Sequence, residues 1–107
     1  MGCEQGIATS LTLGAASRVR VPEHVVYRSF PAETVLLNLQ SGTYHGLNTT
    51  AGRMLEELER TDSLGRAAAV IADEFGQTRS LVQADICELC RSLLERGLIE
   101  VDAAPGL

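Results

Sequence analysis

The chain has 107 residues, 45% of them apolar, and carries a formal net charge of −5. That length suits one domain, and the apolar share supports a modest core of Leu, Val, Ile and Ala rather than a disordered chain. The acidic balance argues against nucleic acid, whose binding needs Lys and Arg to neutralise phosphates, and no run nears the ~20 apolar residues of a membrane span.

Residues 1–18 are rich in Gly, Ala, Ser and Thr, with a hint of strand at Leu11–Leu13. They are predicted to form a flexible N-terminal segment. No basic stretch precedes their apolar part, so they make a poor signal peptide. Gly2 and Cys3 make only a weak lipidation start without an anchor or a polybasic patch. Three cysteines without a secretion signal point to free thiols in a reducing cytoplasm.

From residue 19 to 101 the pattern is that of a folded domain. Val19 and Val21 alternate before Pro22 breaks the run. Val25–Phe30 is β-branched and aromatic, a strand signal, and Pro31 ends it because proline cannot donate to a ladder. Thr34–Gln40 reads as the next strand, with Val35, Leu37 and Leu39 alternating onto one face. A turn at Ser41-Gly42 leads to a short strand, Thr43–Leu47. Two registers compete. A three-residue loop with a left-handed Gly42 pairs Leu39 with Thr43 and gathers Val35, Leu37, Leu39 and Leu47 on one face. A two-residue loop puts Leu47 on the opposite face. The first is expected, because a one-residue slip flips every side chain and burial decides.

Helical periodicity follows. Asn48 or Thr49 is the expected cap of a helix whose stripe is Ala51, Met54, Leu55 and Leu58. Asp62 or Ser63 caps a second helix with the stripe Leu64, Ala67, Ala68, Ile71, Ala72 and Phe75, closed by Gly76. Thr78 or Ser80 caps a third, running to about Arg96 and ended by Gly97. Leu98–Val101 is a short strand or an extended tail, and residues 102–107 are expected to fray. The predicted class is α+β: a three-stranded antiparallel sheet followed by three helices, resembling a winged helix-turn-helix.

Chemistry is scarce. Cys87-Glu-Leu-Cys90 has the spacing of a zinc or redox pair. A structural zinc wants four ligands, whereas Cys3, His24 and His45 are isolated in the sequence. A redox pair normally opens a helix, and this one lies about ten residues into the third. There is no phosphate loop, dinucleotide fingerprint or nucleophile signature. No catalytic residue, metal or cofactor is predicted.

The third helix carries a wide apolar arc. Val82, Ile86, Leu89 and Leu93 form one stripe, and Cys87, Cys90 and Leu94 a second beside it, with Asp85, Glu88, Ser92 and Glu95 on the polar side. Either the helix packs between two neighbours or the second strip lines a groove for a partner. In a meander, Thr43–Leu47 would be a sheet edge without the Lys or Pro that usually blunts one. An extended peptide could then add as a strand along Thr43, Tyr44, His45, Gly46 and Leu47 and rest on Asp85, Leu89, Cys90, Leu93 and Leu94, with Leu89 and Leu93 alternatively in the core.

"VLLNLQSGTYHGLNTTAGRMLEEL", "AAAVIADEFG" and "ADICELCRSLLERGLIEV" together resemble the PqqD-like family of peptide-recognition domains, over about Val25 to Val101. The most specific elements are the Leu36–Asn48 junction, Phe75-Gly76, and Asp85-Ile86 leading to Gly97-Leu98-Ile99. The resemblance implies a winged-helix fold and a non-catalytic adaptor, which the free thiols place in the cytoplasm. Such an adaptor binds the leader of a ribosomally made precursor by strand addition to the third strand and the third helix. The size and the "TYHGLN" junction look most like the stand-alone leader-binding proteins of lasso-peptide biosynthesis. Those proteins pass the precursor to a separate cysteine peptidase and then a cyclase. A Tyr-x-x-Pro leader motif is implied, with Cys90 and Leu94 as candidate walls for the tyrosine ring. The alternatives are an adaptor for a radical or cyclodehydrating enzyme and a DNA-binding winged helix.

Overall fold

The computed structural model describes residues 13–102. In chain order its elements are β1 (Arg18–Arg20), β2 (Val25–Ser29), β3 (Thr34–Asn38), β4 (Thr43–Leu47), α1 (Thr49–Arg60), α2 (Leu64–Phe75), α3 (Arg79–Glu95) and β5 (Glu100–Asp102). Strands β2, β3 and β4 form an antiparallel meander in that order, and β1 pairs with β5 in a separate two-stranded ribbon. The three-stranded sheet and the three helices after it are the expected α+β arrangement. The β1–β5 ribbon is an addition: the Val19 alternation is paired, and Val19 opposite Val101 ties the start of the domain to its end.

The helix boundaries follow local chemistry. Asn48 caps α1, its side-chain oxygen accepting from the Ala51 N–H at 2.8 Å, and Ser63 caps α2 by accepting from the Arg66 N–H. Gly76 closes α2 in the left-handed conformation, φ +66°, which an L side chain adopts only at a penalty. Thr78 stands at the N-cap of α3 without a side-chain capping bond.

The core joins Val25 and Leu36 of the sheet to Leu55 and Leu58 of α1, the Leu64, Ala67, Ala68 and Ile71 face of α2, and Val82, Ile86, Cys90 and Leu93 of α3. Leu98 and Ile99, after α3, belong to the same core. Phe75, expected in the α2 stripe, is exposed at the helix end.

Two expectations about the strands need correction. First, the β3–β4 register is shifted by one residue from the one expected: Asn38 pairs with Thr43 and Thr34 with Leu47. The loop is residues 39–42. The Asn38 side chain holds it by accepting from the Gln40 and Ser41 N–H groups, and its carbonyl accepts from the Gly42 N–H at 2.7 Å. This Asx geometry starts the turn one residue early. Leu47 therefore shares the inner face with Thr34 and Leu36, while Val35, Leu37 and Leu39 fall on the outer side. Val26, Leu37 and Tyr44 stand in register across that outer face.

Second, the mobile segment expected to reach residue 18 is held from residue 13 onward. The Ser17 carbonyl accepts from the Leu64 N–H and the Ala15 carbonyl from the Gly65 N–H. Both are unsatisfied donors of the first turn of α2, so this stretch of chain caps that helix. Residues 1–12, including Cys3 and most of the predicted Leu11–Leu13 strand, lie outside the described residues. So do residues 103–107 of the predicted frayed end, whereas Asp102 is paired with Arg18.

Candidate functional site

Among the described residues, strand β4 pairs with β3 alone, so one side of its backbone ladder is open there. Thr43, Tyr44 and Gly46 are exposed, and His45 and Leu47 are half-buried. The alternation of a strand sends Thr43, His45 and Leu47 to the helical side and Tyr44 and Gly46 to the outer side. The Thr43 hydroxyl lies 3.3 Å from His45 Nε2 and 2.7 Å from the Ser41 hydroxyl, which braces the loop end of the strand.

At the other end of β4 the chain turns through Asn48 into α1, and there a cleft of about 360 Å³ opens between α1 and α3. Asn48, Thr50, Ala51 and Met54 form one wall. Asp85, Glu88, Leu89 and Ser92 form the other, and their spacing places them on one face of α3. Met54 is buried and Leu89 half-buried, so the cleft has an apolar floor and a polar, acidic rim. Neither Asp85 nor Glu88 has an ion-pair partner among the described residues.

The predicted helix-side residues divide. Asp85 and Leu89 line the cleft. Cys90 and Leu93 are fully buried, and Leu94 is packed against the core outside the cleft lining. The apolar arc of α3 is wide because the helix packs along α2 and also against α1. Of the second strip, Cys90 is spent on the interior, while Cys87 and Leu94 are half-buried against the core. Burial pushes the Cys90 thiol up to about 12, with the neighbouring Cys87 adding to it. Both cysteines are free, and the described residues contain no cluster of three metal-binding side chains.

Sequence reasoning missed Asn48, Thr50, Ala51, Met54, Glu88 and Ser92 as cleft residues. The spacing of Asp85, Glu88, Leu89 and Ser92 was visible as one helical face, but its polarity reads as solvent-facing. Only the position of α1 turns that face into a wall.

A sheet edge that ends at a cleft, with no metal-binding cluster among the described residues, describes a surface suited to an extended chain. The model of the family "Coenzyme PQQ synthesis protein D (PqqD)" matches residues 33–99, more than half of the chain. The chain belongs to the PqqD family. Among solved structures, it is similar to "TbiB1 in Complex with the TbiA(beta) Leader Peptide", with 31% identity and a TM-score of 0.69 over 76% of this chain and 94% of that one. It is also similar to "Lasso peptide synthetase B1 complexed with the leader peptide", with 28% identity and a TM-score of 0.70 over 78% of this chain and 98% of that one. The PqqD truncation of Methylobacterium extorquens PqqCD, described as a stand-alone RiPP recognition element, shares the fold at 18% identity and a TM-score of 0.69, over 84% and 96% of the two chains. No curated protein matches. These likenesses agree with the fold and with the PqqD-like resemblance read from the Leu36–Asn48 junction.

Proposed function

We propose that this PqqD-family chain is a non-catalytic adaptor that binds the leader region of a ribosomally synthesised precursor peptide, a lasso-peptide precursor. The leader adds as a fourth strand along Thr43–Leu47, and its inward side chains enter the cleft between α1 and α3. Backbone hydrogen bonds give affinity, and the Met54–Leu89 floor selects an apolar leader side chain. The observation that carries this reading is the open edge of β4 running into that cleft. The two relatives solved with leader peptides support it.

The adaptor hands its cargo to a separate leader peptidase and then to a cyclase. The free thiols of Cys87 and Cys90 suit a reducing cytoplasm, and none of the described helices is long and apolar enough to cross a membrane. Titration calorimetry with the synthetic leader tests the reading. Saturable one-to-one binding is expected, and no heat at high micromolar leader overturns it. A low-salt gel shift that gave tight, salt-sensitive DNA binding would favour the winged-helix regulator instead.

A further inference from the structure

The sheet has a second open edge. Among the described residues, strand β2 pairs with β3 alone, and it lies opposite β4 in the meander, so the two edges are about 10 Å apart, two strand spacings. Strand β2 is short, with Pro22 before it and Pro31 after it, yet nothing within Val25–Ser29 blunts it apart from Arg28. A cleft runs beside it too, lined by Val21, Pro22, Glu23, the whole of β2, and Glu56 and Glu59 of α1. Here the edge strand itself lines the groove and α1 forms its wall, whereas the first cleft lies between α1 and α3 at the end of β4.

The helix wall is tied to the strand. The Tyr27 hydroxyl donates to Glu59 Oε1 at 2.6 Å, and the Ser29 hydroxyl donates to Glu56 Oε2 at 2.9 Å. These bonds fix both carboxylates along the groove without neutralising them. Glu59 and Glu23 have no ion-pair partner among the described residues, and Glu56 is only 3.8 Å from Arg53, a contact that Arg53 shares with Glu57 and Glu74. Arg28 is the one cation in the lining, against Glu23, Glu56 and Glu59, so the groove keeps a net negative charge that favours a basic occupant.

We infer that the β2 edge is a second strand-addition site, and that its occupant is a basic extended segment of the enzyme that processes the bound precursor. This rests on the leader-binding reading for β4. A second copy is disfavoured: pairing β2 with β2 would bring two acidic rims together between chains of net charge −5. A second stretch of the precursor is also disfavoured, because it would have to cross the sheet and bear a loop-closure entropy. A strand already held in a folded enzyme bears neither cost. Both edges filled at once give a five-stranded sheet, so that the adaptor bridges substrate and enzyme through its two sides.

The test uses the full-length, isotope-labelled chain saturated with leader, and as probe a capped seven-residue peptide alternating threonine and lysine. Amide shifts are expected at Val25–Ser29, fading with added salt, while the leader stays bound. Shifts confined to Thr43–Leu47, or displacement of the leader, would overturn the inference. The double variant Glu56→Gln/Glu59→Gln keeps both hydrogen-bond acceptors and so preserves the fold. It should weaken the probe about fivefold, the scale of two lost surface ion pairs, and slow leader removal by the peptidase comparably. Its leader affinity should stay within about twofold of wild type, the size of a surface-charge effect. Unchanged leader removal, or a parallel loss of leader affinity, would refute a separate enzyme-binding edge. Failure of the wild-type chain to bind leader at all would instead remove the function proposed above.

Discussion

Gly52 of α1 lies directly over Thr34 of β3: a methyl group built on Gly52 would occupy the space of the Thr34 hydroxyl and side-chain carbon. Thr34 is buried and pairs with Leu47, the last residue of the open edge strand. This contact sets how closely α1 approaches the sheet, and so sets one wall of the cleft relative to β4.

Gly52→Ala should therefore destabilise the fold by about 1–3 kcal/mol, as overpacking does, although alanine is the better helix former. Leu36→Ala, which opens a void at a fully buried site, should lose about 2–5 kcal/mol. Urea unfolding of both variants checks the pair. A Gly52→Ala protein as stable as wild type would mean that α1 is free to move away from Thr34.

Strand addition predicts an alternating dependence on leader backbone donors. In an antiparallel pair, successive N–H groups point alternately toward and away from the neighbour. N-methylation of every second leader amide along the segment facing Thr43–Leu47 should weaken binding about tenfold per site, the scale of one buried hydrogen bond. The intervening amides should tolerate it. Calorimetry on the N-methyl series measures this without altering the protein, so misfolding cannot imitate the result. A flat series would exclude pairing on β4.

The cleft separates two leucines of α3. Leu89→Ala removes part of the apolar floor and should reduce leader affinity about tenfold, in line with the burial of a few methylene groups. Leu94→Ala should leave affinity within about twofold while lowering stability by roughly 1–2 kcal/mol for a half-buried side chain. Leader titration and thermal melts of the two variants would give crossed results. Equal affinity losses would return the second apolar strip of α3 to the binding surface.

Cys90 predicts alkaline sensitivity. Its folded-state pKa is raised by burial, so its contribution to stability is complete below the unfolded value. It is lost as pH rises from about 9 to about 12, because the unfolded chain then releases a proton that the folded chain keeps. Chemical denaturation across this range should show a steeper fall for wild type than for Cys90→Ala. An aromatic disulfide reagent at pH 8 should label Cys87 in the native state and reach Cys90 only after unfolding. Rapid native labelling of Cys90 would contradict its burial.

Local rules carried the order and type of the elements. The Asn48 and Ser63 caps, the left-handed Gly76 and the apolar stripes of α1 and α2 depend on neighbours within one turn, and each is legible from adjacent residues. The β3–β4 register was not. Val35, Leu37 and Leu39 form a good alternating face, but Asn38 captures the Gln40 and Ser41 N–H groups and starts the turn early. That reverses which face meets the helices. The same limit applied to α3, where Cys87, Cys90 and Leu94 read equally as packing between two neighbours or as a groove lining, and Asp85, Glu88 and Ser92 as the polar side.

The linear chain by itself determined three strands, three helices, an acidic surface and a PqqD-like pattern, because periodicity, capping and charge are local or additive properties. Only the tertiary structure decided which side of the sheet is covered, that residues 13–17 cap α2, and that a polar face of α3 becomes a cleft wall. The cleft wall depends on α1 resting on Thr34 through Gly52, a contact between residues eighteen positions apart in sequence, and the cap on Ala15 and Ser17 reaching Gly65 and Leu64. Non-local packing chooses among faces that local patterns leave nearly equivalent.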